Sequence, residues 1–541
     1  MSDTSMATWA PELRVGAQEL KSWLRDGGEI AVLDVREHGR YGEAHLFFGV
    51  TAPYSRLELD ARRLVPRLST RVVVYDEGGA VGSQPAVAER AARRLRDMGY
   101  GAVFVLDGGA AGWADAGFGL FAGVNVPSKT FGELAELSFH TPRLSARDLA
   151  AKLEAQADLV VLDGRPVEEY RKMSIPTATC CPNGELALRA ELLAPDPATT
   201  IVINCAGRTR SIIGAQNLID MGIANPVFAL ENGTQGWYLD DLTLDHGADR
   251  LYPPPPPEAA LPALRARARA FADRWAVPFV CAAELERFRE DHDRTTYLFD
   301  VRTPEEYAAG SLPGAVNAPG GQLVQATDQY AATRGARMVL FDGEGVRAPV
   351  IAARMRQMGW DAQVLEEGVA APLAPGADSA RDVAPALALQ PLEAVSVEAL
   401  AALPPGAQLV DIRGSMAYRA GHLTGAVWSL RPLLVTLPLS SGAPVVLVAE
   451  RTELAQLAAR ELLERGFSDV RVHLGTPAAW REAGLEVVAT PDLPADEACI
   501  DFLFFVHDRH SGNKAAARQY LAWETNLLAQ IDGDERASYR I

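Results

Sequence analysis

Short runs of buried-type residues alternate along this chain with amphipathic stretches, in a pattern that repeats four times. Each repeat opens on an apolar run ending in Asp-x-Arg: Val32-Leu33-Asp34-Val35-Arg36, Val161-Leu162-Asp163-Gly164-Arg165, Leu298-Phe299-Asp300-Val301-Arg302 and Leu409-Val410-Asp411-Ile412-Arg413. Four to eight apolar residues without helical periodicity predict a strand buried on both faces. A tyrosine follows seven residues after each aspartate, at Tyr41, Tyr170, Tyr307 and Tyr418. Next come a turn, a second apolar strand, a loop, and an amphipathic helix that ends near Met98-Gly99, Met221-Gly222, Met358-Gly359 or Arg465-Gly466. A third strand closes each unit. A Gly/Trp turn follows at Gly112-Trp113, at Gly236-Trp237 and, less regularly, between Gly475 and Trp480; the third copy lacks the tryptophan. Strands alternating with helices predict an α/β chain of mainly parallel sheets, with sites at the carboxyl ends of the strands.

Repeats of this length are whole domains, and 541 residues accommodate roughly three to five of them. The predicted domains span residues 10–125, 140–248, 270–375 and 393–490, followed by an extension over 491–541. In that extension Phe502, Phe505, Tyr520, Trp523, Leu527 and Leu528 recur at helical spacing, which predicts a helix or two docked on the domains. Pro253 to Pro257 form a polyproline connector, read either as a spacer between two tandem pairs or as an ordered strap on the surface. The Ala/Pro-rich stretch from Ala370 to Pro391 joins the last two domains.

Chemistry concentrates in one loop. Cys205-Ala206-Gly207-Arg208-Thr209-Arg210-Ser211 follows the strand Ile201–Asn204 and leads into a predicted helix from Ile212 to Met221. A cysteine facing a helix N-terminus and flanked by two arginines is set to ionise and act as a nucleophile. Aligning the second strands puts Asp76, Asp342 and Ala449 where Cys205 stands in the second repeat. An aspartate or alanine there offers no thiol nucleophile, so domains one, three and four are expected to be inactive.

Taken together, the Asp-x-Arg strands, the Cys205 loop and the Gly-Trp turns resemble the rhodanese family of sulfurtransferases, as four tandem rhodanese-like domains covering nearly the whole chain. The resemblance implies a thiosulfate-type sulfurtransferase. Cys205 would take sulfane sulfur from an anionic donor as a persulfide and pass it to cyanide or a thiol, without metal or organic cofactor. It further implies that the amides of Ala206 to Ser211 cradle the persulfide, that Arg208 and Arg210 hold the donor's sulfonate, and that Thr209 and Ser211 add hydroxyl donors or cap the helix. The Cys-x4-Arg spacing from Cys205 to Arg210 is the sulfurtransferase form; related phosphatases have one residue more. Asp163 and Arg165 match the family's bracing pair, and their presence in all four copies favours a structural role. Cys180 and Cys181 lie on the segment beside the loop, as candidate resolving thiols or as buried small side chains. Two other readings of Cys205 stay open: a persulfide relay to a partner protein, and a redox-sensing scaffold.

Composition narrows the setting. A net charge of −18 disfavours nucleic acid and suits a local positive site for a small anion. No apolar run approaches the ~20 residues of a membrane span, and Met1 to Thr8 lack the regions of a signal peptide. Five scattered cysteines argue against a disulfide scaffold and for a reducing cytoplasm. His507 and His510 in the tail have no ligand cluster around them in sequence, so a packing role is expected there rather than a metal.

Overall fold

The computed structural model describes residues 13–78, 86–373, 389–510 and 513–541. Met1 to Thr8 and most of the Ala370–Pro391 joining stretch lie outside the described residues. Four sheets carry the chain, and their five core strands follow one order. In the second unit that order is Arg143–Leu144, Val227–Leu230, Thr200–Asn204, Leu159–Asp163, Thr179–Cys180, with every pairing parallel. The first sheet gains an antiparallel strand from the third unit, Thr333–Arg334 beside Ile30 and Ala31. Among the described residues no helix is long and apolar enough to cross a membrane.

Burial on both faces explains the uninterrupted apolar runs. In the second unit Leu162, Ile201 and Ile203 enter one core, whereas Val161 and Val202 enter the core on the other face. The Asp-x-Arg signature is a brace repeated in all four copies. Each arginine returns to its own aspartate and also donates to the carbonyl eight residues further on: Ala44, Met173, Gly310 and Gly421. Each repeat tyrosine likewise donates to the carbonyl eight residues on, at Gly49, Ala178, Ala315 and Ala426. These bonds tie the turn after the first strand to the sheet. They require only local sequence, which is why the motif survives unchanged in every copy.

The second unit packs against the third, the first against the fourth, and the first also against the third through the shared strand Thr333–Arg334 and the Tyr297 hydroxyl on the Leu64 carbonyl. Between the second and third, the backbones touch at Gly184, where an added Cβ would lie 2.8 Å from the Gly321 nitrogen. Arg354 crosses this interface to Asn217 Oδ1 (2.7 Å) and Asp220 Oδ2 (2.6 Å). Between the first and fourth, Arg431 grips Glu58 at 2.6 and 2.8 Å, while Glu461 accepts from Arg94 at 2.9 Å and from the Tyr54 hydroxyl at 2.7 Å. Two tandem pairs split at the polyproline stretch are therefore not what forms. Pro253 to Pro257 is a surface strap, with the Pro253 carbonyl held by Arg189 and Pro256 buried.

Among its described residues the C-terminal extension holds four α-helices, Phe504–His507, Lys514–Thr525, Leu527–Gln530 and Gly533–Ala537. It reaches all four units. Asp501 accepts from the Ser415 amide of the fourth, and the Ile500 carbonyl accepts from the Arg40 amide of the first. Lys514 pairs with Asp241 of the second, and the Arg540 amide donates to Gln357 of the third.

Candidate active site

Strand register fixes which residues correspond. Asp163 lies opposite Asn204, Asp34 opposite Tyr75, Asp300 opposite Phe341, and Asp411 opposite Val448. The next residue in each strand is Cys205, Asp76, Asp342 and Ala449.

Cys205 closes the strand Thr200–Asn204, and the helix Thr209–Asp220 begins four residues later. The cysteine is only 2% exposed. Ser211 Oγ lies 3.0 Å from its Sγ and donates to it, which stabilises a thiolate. Among the described residues no acceptor meets the backbone N–H of Ala206, Gly207, Arg208, Thr209, Arg210 or Ser211. Six consecutive unpaired amides at a helix N-terminus form a ready cradle for an anion. The loop is buttressed from behind, where the Thr234 and Gln235 amides donate to the carbonyls of Cys205 (2.8 Å) and Ala206 (3.1 Å). Gly233 makes that approach feasible. Its φ is +54°, and a Cβ there would lie 2.2 Å from the Cys205 oxygen.

The third unit fills the same cradle with its own side chain. The Asp342 carboxylate accepts from the amides of Gly345 (2.8 Å), Val346 (2.9 Å), Arg347 (2.6 Å) and Ala348 (3.3 Å). In the first unit Asp76 accepts from Gly78 and Ala88, both at 3.0 Å. An internal carboxylate here takes the place of an external anion.

Two residues of the loop serve differently from expectation. Arg208 turns away from the thiol and forms a buried bidentate pair with Glu133, at 2.7 and 2.9 Å, and also contacts Glu136. Both acids belong to the helix Val126–Phe139 between the first two units. Burial disfavours the guanidinium's charge, but these carboxylates outweigh it and keep Arg208 protonated. Arg208 is thus an anchor for the loop, with its Nε and Nη2 donors committed to Glu133 and Glu136. Thr209 neither caps the helix nor faces the sulfur; its hydroxyl donates to Glu524 Oε1 at 2.8 Å. Glu524 comes from the tail helix Lys514–Thr525, and its other oxygen is buried without a partner.

Arg210 interacts electrostatically with Cys205 and lines a neighbouring cavity. It is paired with Glu169 at 2.7 and 2.8 Å. Burial would raise the Glu169 pKa, yet Arg210 and Arg165 bring it down to about 2. A cavity of about 330 Å³ opens beside this pair. Its wall combines Arg165, Glu169 and Lys172 with Lys129 of the interdomain helix, Gln325 of the third unit, and Arg509 and Tyr520 of the tail. His507 stands in the same wall and stacks on Phe502 at 4.6 Å. Burial, with Lys172 and Arg509 close by, holds its pKa below the ordinary value. The side chain of His510 lies outside the described residues.

Cys180 and Cys181 do not meet Cys205. Cys180 pairs with Asp163, which pairs with Asn204, so two strand spacings, roughly 10 Å, separate the backbones. A disulfide needs Cα atoms about 4.4–6.8 Å apart. The two thiols also enter opposite cores, and burial pushes Cys180 up to about 12 and Cys181 well above the ordinary thiol value. They are packing residues, and the role of resolving thiol does not fit them. Asp163 and Arg165 brace the strand end as their counterparts do elsewhere, with Asn204 Nδ2 adding a bond to Asp163 at 2.8 Å.

Several residues of the site carry no mark in the second repeat alone. Glu169 is the exception that comparing repeats would have exposed: Glu306 and Arg347 occupy the same places in the third unit and pair in the same way, at 2.7 and 2.9 Å. Nothing local announces Glu133, Lys129 or Glu524.

Similarity to known proteins agrees with this geometry. A family model described as the rhodanese-like domain matches residues 16–116, 145–240 and 282–372. The fourth sheet repeats the same strand order outside these segments. A crystal structure of a thiosulfate sulfurtransferase from Pseudomonas aeruginosa is similar over 97% of this chain and 99% of its own, at 40% identity and a TM-score of 0.86. The thiosulfate sulfurtransferase GlpE of Pseudomonas entomophila is 38% identical over 88 residues, which are 16% of this chain and 79% of GlpE. With matched segments over more than half its length and a relative similar nearly from end to end, the chain belongs to the rhodanese family of sulfurtransferases.

Proposed function

We propose that the chain moves sulfane sulfur from thiosulfate to a thiophilic acceptor through a persulfide on Cys205. The thiolate attacks the outer sulfur of thiosulfate. A new S–S bond forms at Cys205, the donor's S–S bond breaks, and sulfite leaves with the bonding pair. Cyanide or a thiolate then attacks the outer sulfur of the persulfide, and Cys205 departs as the thiolate. The observation that carries this reading is the Cys205 sulfur, bonded by Ser211 and followed by six unpaired amides. Those amides would hold the persulfide's charge, as such donors hold oxyanions. Arg210 would engage the donor's sulfonate, exchanging Glu169 for it. Five free cysteines suit a reducing, cytoplasmic setting.

The first, third and fourth domains are catalytically silent in this reading. The Asp76 and Asp342 carboxylates support it by occupying their own amides, and Ala449 has no nucleophile to offer. Sulfite release from thiosulfate with cyanide as acceptor tests the proposal. The wild type should turn over with ping-pong kinetics, because sulfite leaves before the acceptor reacts. Asp76→Asn and Asp342→Asn, which keep the shape of the loops, should retain more than about half of that rate. No sulfite from the wild type would overturn the reading. A loss of most turnover in either variant would remove the division into one active and three silent domains.

A further inference from the structure

A second cavity, of about 50 Å³, lies where the first unit, the third unit, the helix Val126–Phe139 and the tail meet. One water needs only ~10–15 Å³ of such space, so the cavity has room for a small organic molecule. Two side chains of opposite charge stand in its wall, and among the described residues neither has a counter-ion. Arg334 belongs to the strand that the third unit lends to the first sheet. Its guanidinium rests 3.8 Å from the centre of the Phe48 ring and makes no ion pair. Burial lowers its pKa to about 10, and no carboxylate offsets that effect. Asp328 pairs with no cation. Its Oδ2 accepts from the Tyr41 hydroxyl at 3.4 Å, its Oδ1 has no hydrogen-bond partner, and burial raises its pKa to about 6.

Each charge has an unused polar atom in the same wall. Ser128 is 2% exposed, and its hydroxyl has no partner. Its neighbour Pro127 accepts from the Tyr539 hydroxyl at 2.7 Å, and the Tyr539 phenol acts on Arg334, so these groups form one end of the cavity. Gln325 is 8% exposed, and its Oε1 is an acceptor without a donor. A buried charge is costly unless it is paired. Arg334 and Asp328 share a cavity without meeting, so one occupant carrying both signs would satisfy them together.

We propose that this cavity binds a small apolar α-amino acid, its carboxylate on Arg334, its ammonium on Asp328 and its side chain among Phe47, Val50 and Met358. The Ser128 hydroxyl would donate to the carboxylate, and Gln325 Oε1 would accept from the ammonium. The site lies apart from the Cys205 loop and goes beyond sulfur transfer: its occupant would tie the first unit, the third unit and the tail to one another.

L-Alanine and L-valine are the probes, each compared with the carboxylate that lacks its ammonium, propanoate or 3-methylbutanoate. Calorimetric titration of the full chain at pH 8, where both side chains are charged, gives the affinities. At least one of the amino acids should bind once per chain, about tenfold or more tighter than its carboxylate analogue, because Asp328 attracts the ammonium and repels a lone anion. In Asp328→Asn that ratio should fall about tenfold, with the carboxylate analogue held as well as before or better. Loss of folded protein lowers both affinities alike and cancels in the ratio. Arg334→Gln should weaken the amino acid about tenfold or more. Binding of neither amino acid to the wild type, which would leave water as the occupant, overturns the proposal. So does a preference for the amino acid that survives Asp328→Asn undiminished.

Discussion

Cys205→Ser eliminates sulfur transfer, lowering turnover of thiosulfate by about 10⁴-fold or more, to the level of uncatalysed exchange. The substitution changes one atom. Serine keeps the shape of the side chain, so the Ser211 contact and the amides of Ala206 to Ser211 should stay in place. What disappears is the only atom at the strand end that can take a second sulfur. Neither neighbouring thiol stands ready to replace it, since Cys180 and Cys181 are fully buried in opposite cores and their pKa values are pushed far up. A persulfide requires a thiolate, and a thiol at about 12 supplies almost none near neutrality. Thermal unfolding of the variant should resemble that of the wild type, which separates lost chemistry from lost structure. Residual turnover above about a hundredth of the wild type would mean that another group carries sulfur.

Arg208→Ala should cost stability instead, by about 3–5 kcal/mol, because it strands the Glu133 carboxylate in the interior. Glu133 is 6% exposed and spends both oxygens on Arg208, and Glu136 loses a partner as well. Lysine should recover little of this, since its point charge cannot reproduce the two parallel bonds of the guanidinium. Denaturant unfolding followed at equilibrium measures the loss. The double variant Arg208→Ala/Glu133→Gln should be milder than Arg208→Ala alone, as removing both members of a buried pair avoids the stranded charge. A loss below about 1 kcal/mol in the single variant would return Arg208 to the role of an uncommitted cation near the thiol.

These two residues mark where the sequence was legible and where it was not. The place of Cys205 in the fold is legible from local signals: an apolar run, a polar loop and a helix, aligned on Asp-x-Arg strands whose register the sheets reproduce residue for residue. Parallel pairing makes that alignment rigid, because a slip of one residue would turn every buried side chain to the wrong face. The charge of Arg208 points in sequence to an anionic substrate, whereas the acids it pairs with sit some seventy residues earlier on a helix between domains. Thr209 has the same history, with its acceptor Glu524 on the tail. Cys180 and Cys181 were drawn toward Cys205 by their place in the repeat, and the strand order sets them apart. The pairing of domains was hidden for a related reason. Glu58, Arg94, Arg431 and Glu461 meet only after the chain has closed on itself, and no spacing along it announces the contact.

The third domain keeps the fold of the second with a different residue at the loop. Its brace, its tyrosine and even its Arg347–Glu306 pair match those of the second domain. The residue after the strand differs, and there the Asp342 carboxylate satisfies four amides of its own loop. The loop then needs no external anion. The domain's surface remains available for packing, and Arg347 uses it to reach Glu185 of the second domain at 2.9 Å.

The most direct test of the central claim is the intact mass of the protein after thiosulfate treatment and removal of excess donor, with the modified peptide then identified. Sulfur transfer through Cys205 predicts a gain of one sulfur atom per chain, on the peptide containing Cys205, lost again when cyanide is added. Sulfur on Cys180, Cys181, Cys281 or Cys499 instead, or turnover with no sulfur-bearing protein at any time, would contradict it.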